Sequence, residues 1–97
     1  MESILLAPGT GAANSTEFNV ESNREITIAL YPEANLGADT AILKRRSPDG
    51  SWNTCRDKDG IVTMSGTRPQ EVVFGPGAYR LDAAARAAAW GISANSD

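Results

Sequence analysis

The side chains that usually carry chemistry at neutral pH are nearly missing from this sequence. It has no histidine and a single cysteine, Cys55. A Cys–His nucleophile therefore has no partner within the chain, and one thiol falls far short of a tetrahedral zinc site. Arg56, next to Cys55, would favour the thiolate. A lone cysteine in an expected strand, between Thr54 and Arg56, nevertheless reads first as small apolar filler or a half-exposed spectator. Asp57-Lys58-Asp59-Gly60 opens like a calcium loop, but calcium takes about six to eight oxygens. Ile61, Val62, Thr63 and Met64 stand where further ligands would be needed. A tight hairpin turn accounts for this run, with calcium shared between loops or subunits as the alternative.

Other constellations are equally spare. No G-x-S-x-G nucleophile elbow is present, and a Ser–Lys pair would need Lys44 or Lys58 to meet a hydroxyl in space. A carboxylate pair needs a cleft between its members, whereas the aspartates here fall mostly in turns. Gly9-Thr10-Gly11 and Gly75-Pro76-Gly77 open no expected helix, so they read as turns and not as phosphate cradles. These features lead us to expect no catalytic residue, no metal and no cofactor.

Two groups are candidates for contact. Lys44-Arg45-Arg46 is the one basic cluster. On a strand, Lys44 and Arg46 share a face and Arg45 takes the other. The cluster suits either a solvated edge strand, with Asp49, Asp57 and Asp59 near enough to neutralise it, or an ion-pair contact with an acidic partner. Trp52, Trp90, Tyr31 and Tyr79 suit either a core or a platform for stacking on sugars. Tyr79, soon after Gly75-Pro76-Gly77, is placed like the corner tyrosine of immunoglobulin-like sandwiches.

The elements that must position these groups are strands. Thr16–Val20 alternates Phe18 and Val20 against Glu17 and Asn19, and Glu25–Tyr31 places Ile26, Ile28 and Leu30 on one face. Across the Ser22-Asn23 turn these two runs are expected to form an antiparallel hairpin. Ser47-Pro48-Asp49-Gly50 and Asp57-Lys58-Asp59-Gly60 are turns with a mechanism, because proline presets φ and glycine supplies the left-handed residue. They join Ala41–Arg46, Trp52–Arg56 and Ile61–Met64 into an expected meander. Ser3–Ala7, Val72–Phe74 and Ala78–Asp82 complete the strand-like runs, the last with Tyr79 and Leu81 inward. Residues 83–92 are ambiguous. Their alanines favour helix on propensity, yet Trp90-Gly91-Ile92 looks like strand, so we expect a closing strand near Ala87–Ile92 with helix as the alternative.

The sequence thus reads as all-β: a small antiparallel β-sandwich or barrel of about seven to nine short strands. Residues 1–97 are taken as a single domain, with 93–97 a flexible tail. The 97 residues, 41% hydrophobic and 22% charged, suit one modest core, which shared subunit surfaces would reinforce. The net charge of −3 and the lack of a long basic tract disfavour nucleic acid. No run approaches the roughly 20 apolar residues of a membrane span, and no signal peptide is evident, so synthesis in the cytosol is expected.

Several stretches resemble small structural proteins of tailed bacteriophage particles. They are Ile4-Leu5-Leu6-Ala7-Pro8-Gly9-Thr10-Gly11 with Glu17-Phe18-Asn19-Val20, then Leu36-Gly37-Ala38-Asp39-Thr40-Ala41, Pro48-Asp49-Gly50-Ser51-Trp52 and Gly75-Pro76-Gly77-Ala78-Tyr79-Arg80-Leu81. The resemblance implies a non-enzymatic β-sandwich, often oligomeric, that binds the capsid or another virion component. It transfers no functional residue. The expectation is therefore a virion decoration or capsid-associated protein, homo-oligomeric, made in the host cytoplasm and working by surface contact. Leu5, Tyr31, Leu36, Lys44, Arg46 and Trp90 are the candidate contacts. A carbohydrate-binding or adhesin-like module using exposed aromatics is the alternative, and an enzyme with an unseen Ser–Lys or carboxylate site is a third.

Overall fold

A computed structural model describes residues 2–58 and 60–96. In chain order its strands are β1 (Glu2–Gly9), β2 (Ala13–Asn14), β3 (Phe18–Val20), β4 (Glu25–Tyr31), β5 (Thr40–Arg46), β6 (Trp52–Thr54), β7 (Arg56–Asp57), β8 (Gly60–Ile61), β9 (Thr63–Ser65), β10 (Gln70–Phe74), β11 (Gly77–Ala83) and β12 (Trp90–Ser96). The period of two that marks these runs assembles two antiparallel sheets, neither closed into a barrel. Sheet A has the order β1-β12-β4-β10. Sheet B has the order β2-β11-β5-β6, with β3 also on β11 and β9 also on β5.

The inward positions of the two sheets make one core. Ile28 and Leu30 of β4, with Ile92 and Ala94 of β12, face Ala41 and Leu43 of β5 and Tyr79, Leu81 and Ala83 of β11. Each fully buried large aliphatic residue contributes about 1.5–3 kcal/mol of transfer free energy, against the entropy of ordering its segment. The alternation expected for β4 and β11 is thus realised.

Several pairings differ from the sequence expectation. Phe18–Val20 and Glu25–Tyr31 do not form a hairpin. β3 pairs with β11 in sheet B, whereas β4 pairs with β10 and β12 in sheet A. The connection is a sheet crossover, with the Arg24 N–H donating to the Glu21 carbonyl and Asn23 at φ 60°. Gly75 packs so closely there that a Cβ would stand 1.9 Å from the Glu21 oxygen.

The meander is also modified. β6 returns along the far half of β5, but β9 pairs with the near half of β5 and not with β6. Between them the β7–β8 hairpin leaves the sheet. Leu43 holds the junction, since its carbonyl accepts from the Cys55 N–H and its N–H donates to the Val62 carbonyl. Fragments of this kind explain why there are twelve strands among the described residues instead of seven to nine.

The alanine-rich stretch is neither helix nor strand until Trp90. Arg86 holds it open. Its buried guanidinium donates to the carbonyls of Gly11 (2.9 Å), Ala7 (3.3 Å), Trp90 (2.7 Å) and Thr10 (3.3 Å). Asp39 anchors the other side, accepting from the Ala87 N–H and the Trp90 Nε1–H, both at 3.0 Å. The Trp90 bond, then the Ala87 bond, lowers the pKa of Asp39 below its usual value, against the effect of burial. The tail expected to fray from Ser93 is instead strand through Ser96, between β1 and β4.

Candidate interaction surfaces

The outer face of sheet B carries the expected cations. Register sets Arg80 opposite Lys44, Lys44 opposite Thr54 and Arg46 opposite Trp52. The Arg80 guanidinium lies 4.7 Å from the centroid of the Trp52 ring. It also grips both oxygens of Asp82, at 2.8 and 3.4 Å. Lys44 Nζ donates to Thr54 Oγ1 at 2.8 Å, an in-register cross-strand pair on an open face. Arg46 pairs with Glu17 at 3.2 Å.

Among the described residues the carboxylates paired with these cations are Glu17, on Arg46, and Asp82, on Arg80, while Asp49 and Asp57 bond to other groups. Asp49 accepts from the Ser51 hydroxyl and N–H within its own turn, and these bonds lower its pKa. Asp57 pairs with Arg68. Asp59 lies outside the described residues, and the calcium-like reading of its turn lies there with it. Among the described residues, no three His, Cys, Asp or Glu side chains cluster as metal ligands would. Surface ion pairs of this kind contribute about 0–1 kcal/mol each, so the cations could exchange their counter-charges for those of a partner.

An open groove runs beside this face, between the free edges of the two sheets. Its lining includes Leu43, Arg45, Arg46, Cys55, Arg56, Val73, Phe74 and Tyr79, and no carboxylate among the described residues. Arg45 donates to the Pro76 carbonyl at 3.0 Å and lies 5.9 Å from the Tyr79 ring centroid. The Tyr79 hydroxyl donates to the Phe74 carbonyl at 3.0 Å, tying the β10–β11 connection as a corner tyrosine does. Cys55 is half-buried. Burial pushes its thiol pKa up, outweighing the opposing pull of Arg45 and Lys44. Arg56, expected to favour the thiolate, is absent from those causes.

Sheet A presents a different outer face. Ile4, Ser93, Ala29 and Gln70 form one row across it, and Asn95, Thr27 and Val72 form the next. No charge stands in these rows until Glu2 at the β1 edge. Three large apolar side chains project from its two edge strands: Ile4 is 64% exposed, Val72 41% and Phe74 65%.

The six candidate contacts separate accordingly. Lys44 and Arg46 are brought together on sheet B as expected, and Tyr31 is half-buried opposite Gly91. Leu5, Leu36 and Trp90 are core residues, 6%, 0% and 0% exposed. A register shift in β1 between Ile4 and Leu6 leaves Leu5 inward and Ile4 outward. Leu36 turns under the 3-10 turn Glu33–Asn35, and Trp90 is drawn in by Asp39. The four aromatics form no sugar platform, because Trp90 and Tyr79 are buried and Tyr31 lies in sheet A while Trp52 lies in sheet B. Sequence reasoning missed Ile4, Val72, Phe74, Arg80 and Arg86. Alternation around Val73 and the Arg80-x-Asp82 spacing were the available signals.

No helix among the described residues is long and apolar enough to cross a membrane. No known protein family and no curated protein matches the chain. Solved structures do. The SPBc2 prophage-derived protein YomS superposes with a TM-score of 0.65 at 10% identity, covering 99% of this chain and 90% of that one. PliG of Aeromonas hydrophila, a periplasmic inhibitor of g-type lysozyme, gives 0.49 at 11% identity over 100% of this chain and 85% of its own. The likeness to YomS is one of fold: two chains with little sequence in common arrange their strands alike.

Proposed function

We propose that this chain is a non-enzymatic structural protein of a bacteriophage particle, a decoration or capsid-associated component that docks on a repetitive protein surface. One observation carries the reading. The outer face of sheet A is uncharged across its middle and flanked by exposed Ile4, Val72 and Phe74, a composition suited to a desolvated contact. Its fold is shared with a prophage-derived protein, and its sequence patches resemble phage structural proteins. Both support a virion location after synthesis in the host.

In this reading Ile4, Val72 and Phe74 take over the contact role first given to Leu5, Leu36 and Trp90. Lys44 and Arg46 serve the opposite face. A stable contact of this type buries about 1,200–2,000 Å² in total, which favours several copies acting together. Gradient sedimentation of the purified chain with particles from the encoding organism, beside a glycan array, separates the readings. Co-sedimentation with a silent array supports particle assembly. Glycan binding without co-sedimentation replaces it with the carbohydrate-binding alternative.

A further inference from the structure

Strand β10 is an exposed sheet edge of a kind folded proteins usually blunt. The other edges are blunted. β1 carries two register shifts and Pro8, and the margins of sheet B are pieces of two or three residues. β10 is five residues in unbroken register with β4, with no lysine, proline or bulge within it; its one charge, Glu71, points to the inner side and is neutralised by Arg68.

The backbone of β10 alternates in a readable way. The Pro69 carbonyl accepts from the Leu30 N–H, and the Gly75 N–H donates to the Arg24 carbonyl, so both residues turn toward the β4 side. By the period of two, Glu71 and Val73 do likewise. Gln70, Val72 and Phe74 then direct their N–H and C=O groups outward. The reach of the Tyr79 hydroxyl to the Phe74 carbonyl agrees with that direction. Outward backbone and exposed apolar side chains thus coincide on Val72 and Phe74.

We propose that two copies of this chain pair through β10, antiparallel about a two-fold axis at Val72, joining two A sheets into one continuous eight-stranded sheet. In that register Val72 meets Val72, and Gln70 of each copy meets Phe74 of the other. Every such pair consists of residues with outward backbone groups, so the ladder closes without a bulge. Gln70 and Phe74 stack across the axis on the outer face, covering the apolar projections of both edges. On the inner side, Glu71 of the second copy stands opposite Val73, at the lip of the groove lined by Arg45 and Arg56. Within its own chain Glu71 is paired with Arg68 Nε at 2.6 Å, so it reaches the groove arginines only by sharing that partner.

Five-residue pairing buries less than the roughly 1,200 Å² of a standard interface, so the dimer should be concentration-dependent. Analytical ultracentrifugation from about 5 µM to about 500 µM should show monomer passing to dimer. Hydrogen exchange adds a readout tied to the edge. The Val72 amide, solvent-facing in the single chain, should gain protection as concentration rises, while the Val73 amide is protected throughout. Val72→Lys sets two ammonium groups against each other at the axis and should weaken dimerisation at least about tenfold. Its thermal midpoint and circular dichroism should match those of the parent. Val72→Pro deletes the outward N–H and should act alike. A wild-type monomer across the whole range overturns the proposal. So does a dimer that Val72→Lys and Val72→Pro leave intact. Pairing shares Val72 and Phe74 with the particle reading but is tested separately: a monomer that co-sediments with particles refutes pairing alone, and a dimer that does not refutes the particle role alone.

Discussion

Arg86→Met is the sharpest probe of how the fold is tied. The wild-type guanidinium is buried, 7% exposed, and donates to four backbone carbonyls and to no carboxylate. Methionine keeps much of the volume and removes every donor. The carbonyls then fare differently. Gly11 still accepts from the Arg86 backbone N–H at 3.3 Å, and the carbonyls of exposed Ala7 and Thr10 can turn to water. The Trp90 carbonyl sits in a fully buried residue and loses its 2.7 Å bond from the guanidinium, at a cost of about 1–3 kcal/mol. Charge-assisted bonds lost at the other acceptors add to this, offset by relief of the buried charge, for a net of about 3–4 kcal/mol. A domain of this size loses roughly 4–8 °C of Tm per kcal/mol, so the midpoint should fall by about 12–32 °C. Urea titrations followed by the fluorescence of Trp52 and Trp90 supply the free energy directly. Arg86→Lys, with a compact ammonium in place of the planar fork, should lose about half as much. A loss below about 1 kcal/mol for Arg86→Met would refute the assignment of Arg86 as the tie between the β1–β2 connection and β12.

Other substitutions and conditions test separate links. Tyr79→Phe removes the hydroxyl bond to Phe74 and should cost about 1 kcal/mol in urea; no change would mean the corner is idle. Gly91→Ala places a Cβ 2.3 Å from the Leu6 carbonyl oxygen, so β1 must shift, and about 3 kcal/mol should be lost. The carboxyl of Asp39 has a folded pKa below its usual 3.8. Its stabilisation is therefore full well above that value and disappears as pH falls through the lowered pKa. Urea midpoints measured from about pH 6 to about pH 2 should show this loss, and Asp39→Asn should reduce the slope. Cys55, half-buried with a raised pKa, should react with a disulfide reagent at least about tenfold faster in urea than when folded.

Facing was legible in the sequence, and pairing was not. Alternation placed Ile28 and Leu30 inward on β4 and Tyr79 and Leu81 inward on β11, because it records the environment of each residue. It does not record the neighbouring strand, so Phe18–Val20 was matched with the next run and not with Gly77–Tyr79. The corner role of Tyr79 was readable because its partner is five residues away. Arg86 was unreadable, since it lies in an alanine run that favours helix and bonds to Gly11, 75 positions distant. Trp90 looked like a contact residue for a similar reason: Asp39, which draws it inward, is 51 positions away. Lys44 and Arg46 were placed correctly on one face, but their setting with Arg80, Trp52, Glu17 and Asp82 comes from three separate strands and a loop. Ile4 and Leu5 exchanged roles through a register shift in β1 that no local pattern announces.

Quantitative mass spectrometry of density-purified phage particles from the encoding organism bears most directly on the idea that open faces, and not a reactive group, are what this molecule uses. The chain should be present in a fixed ratio to the most abundant shell protein, and Phe74→Lys should lower that ratio without destabilising the fold. Particles that contain none of it, in cells where it is abundant, would contradict the account.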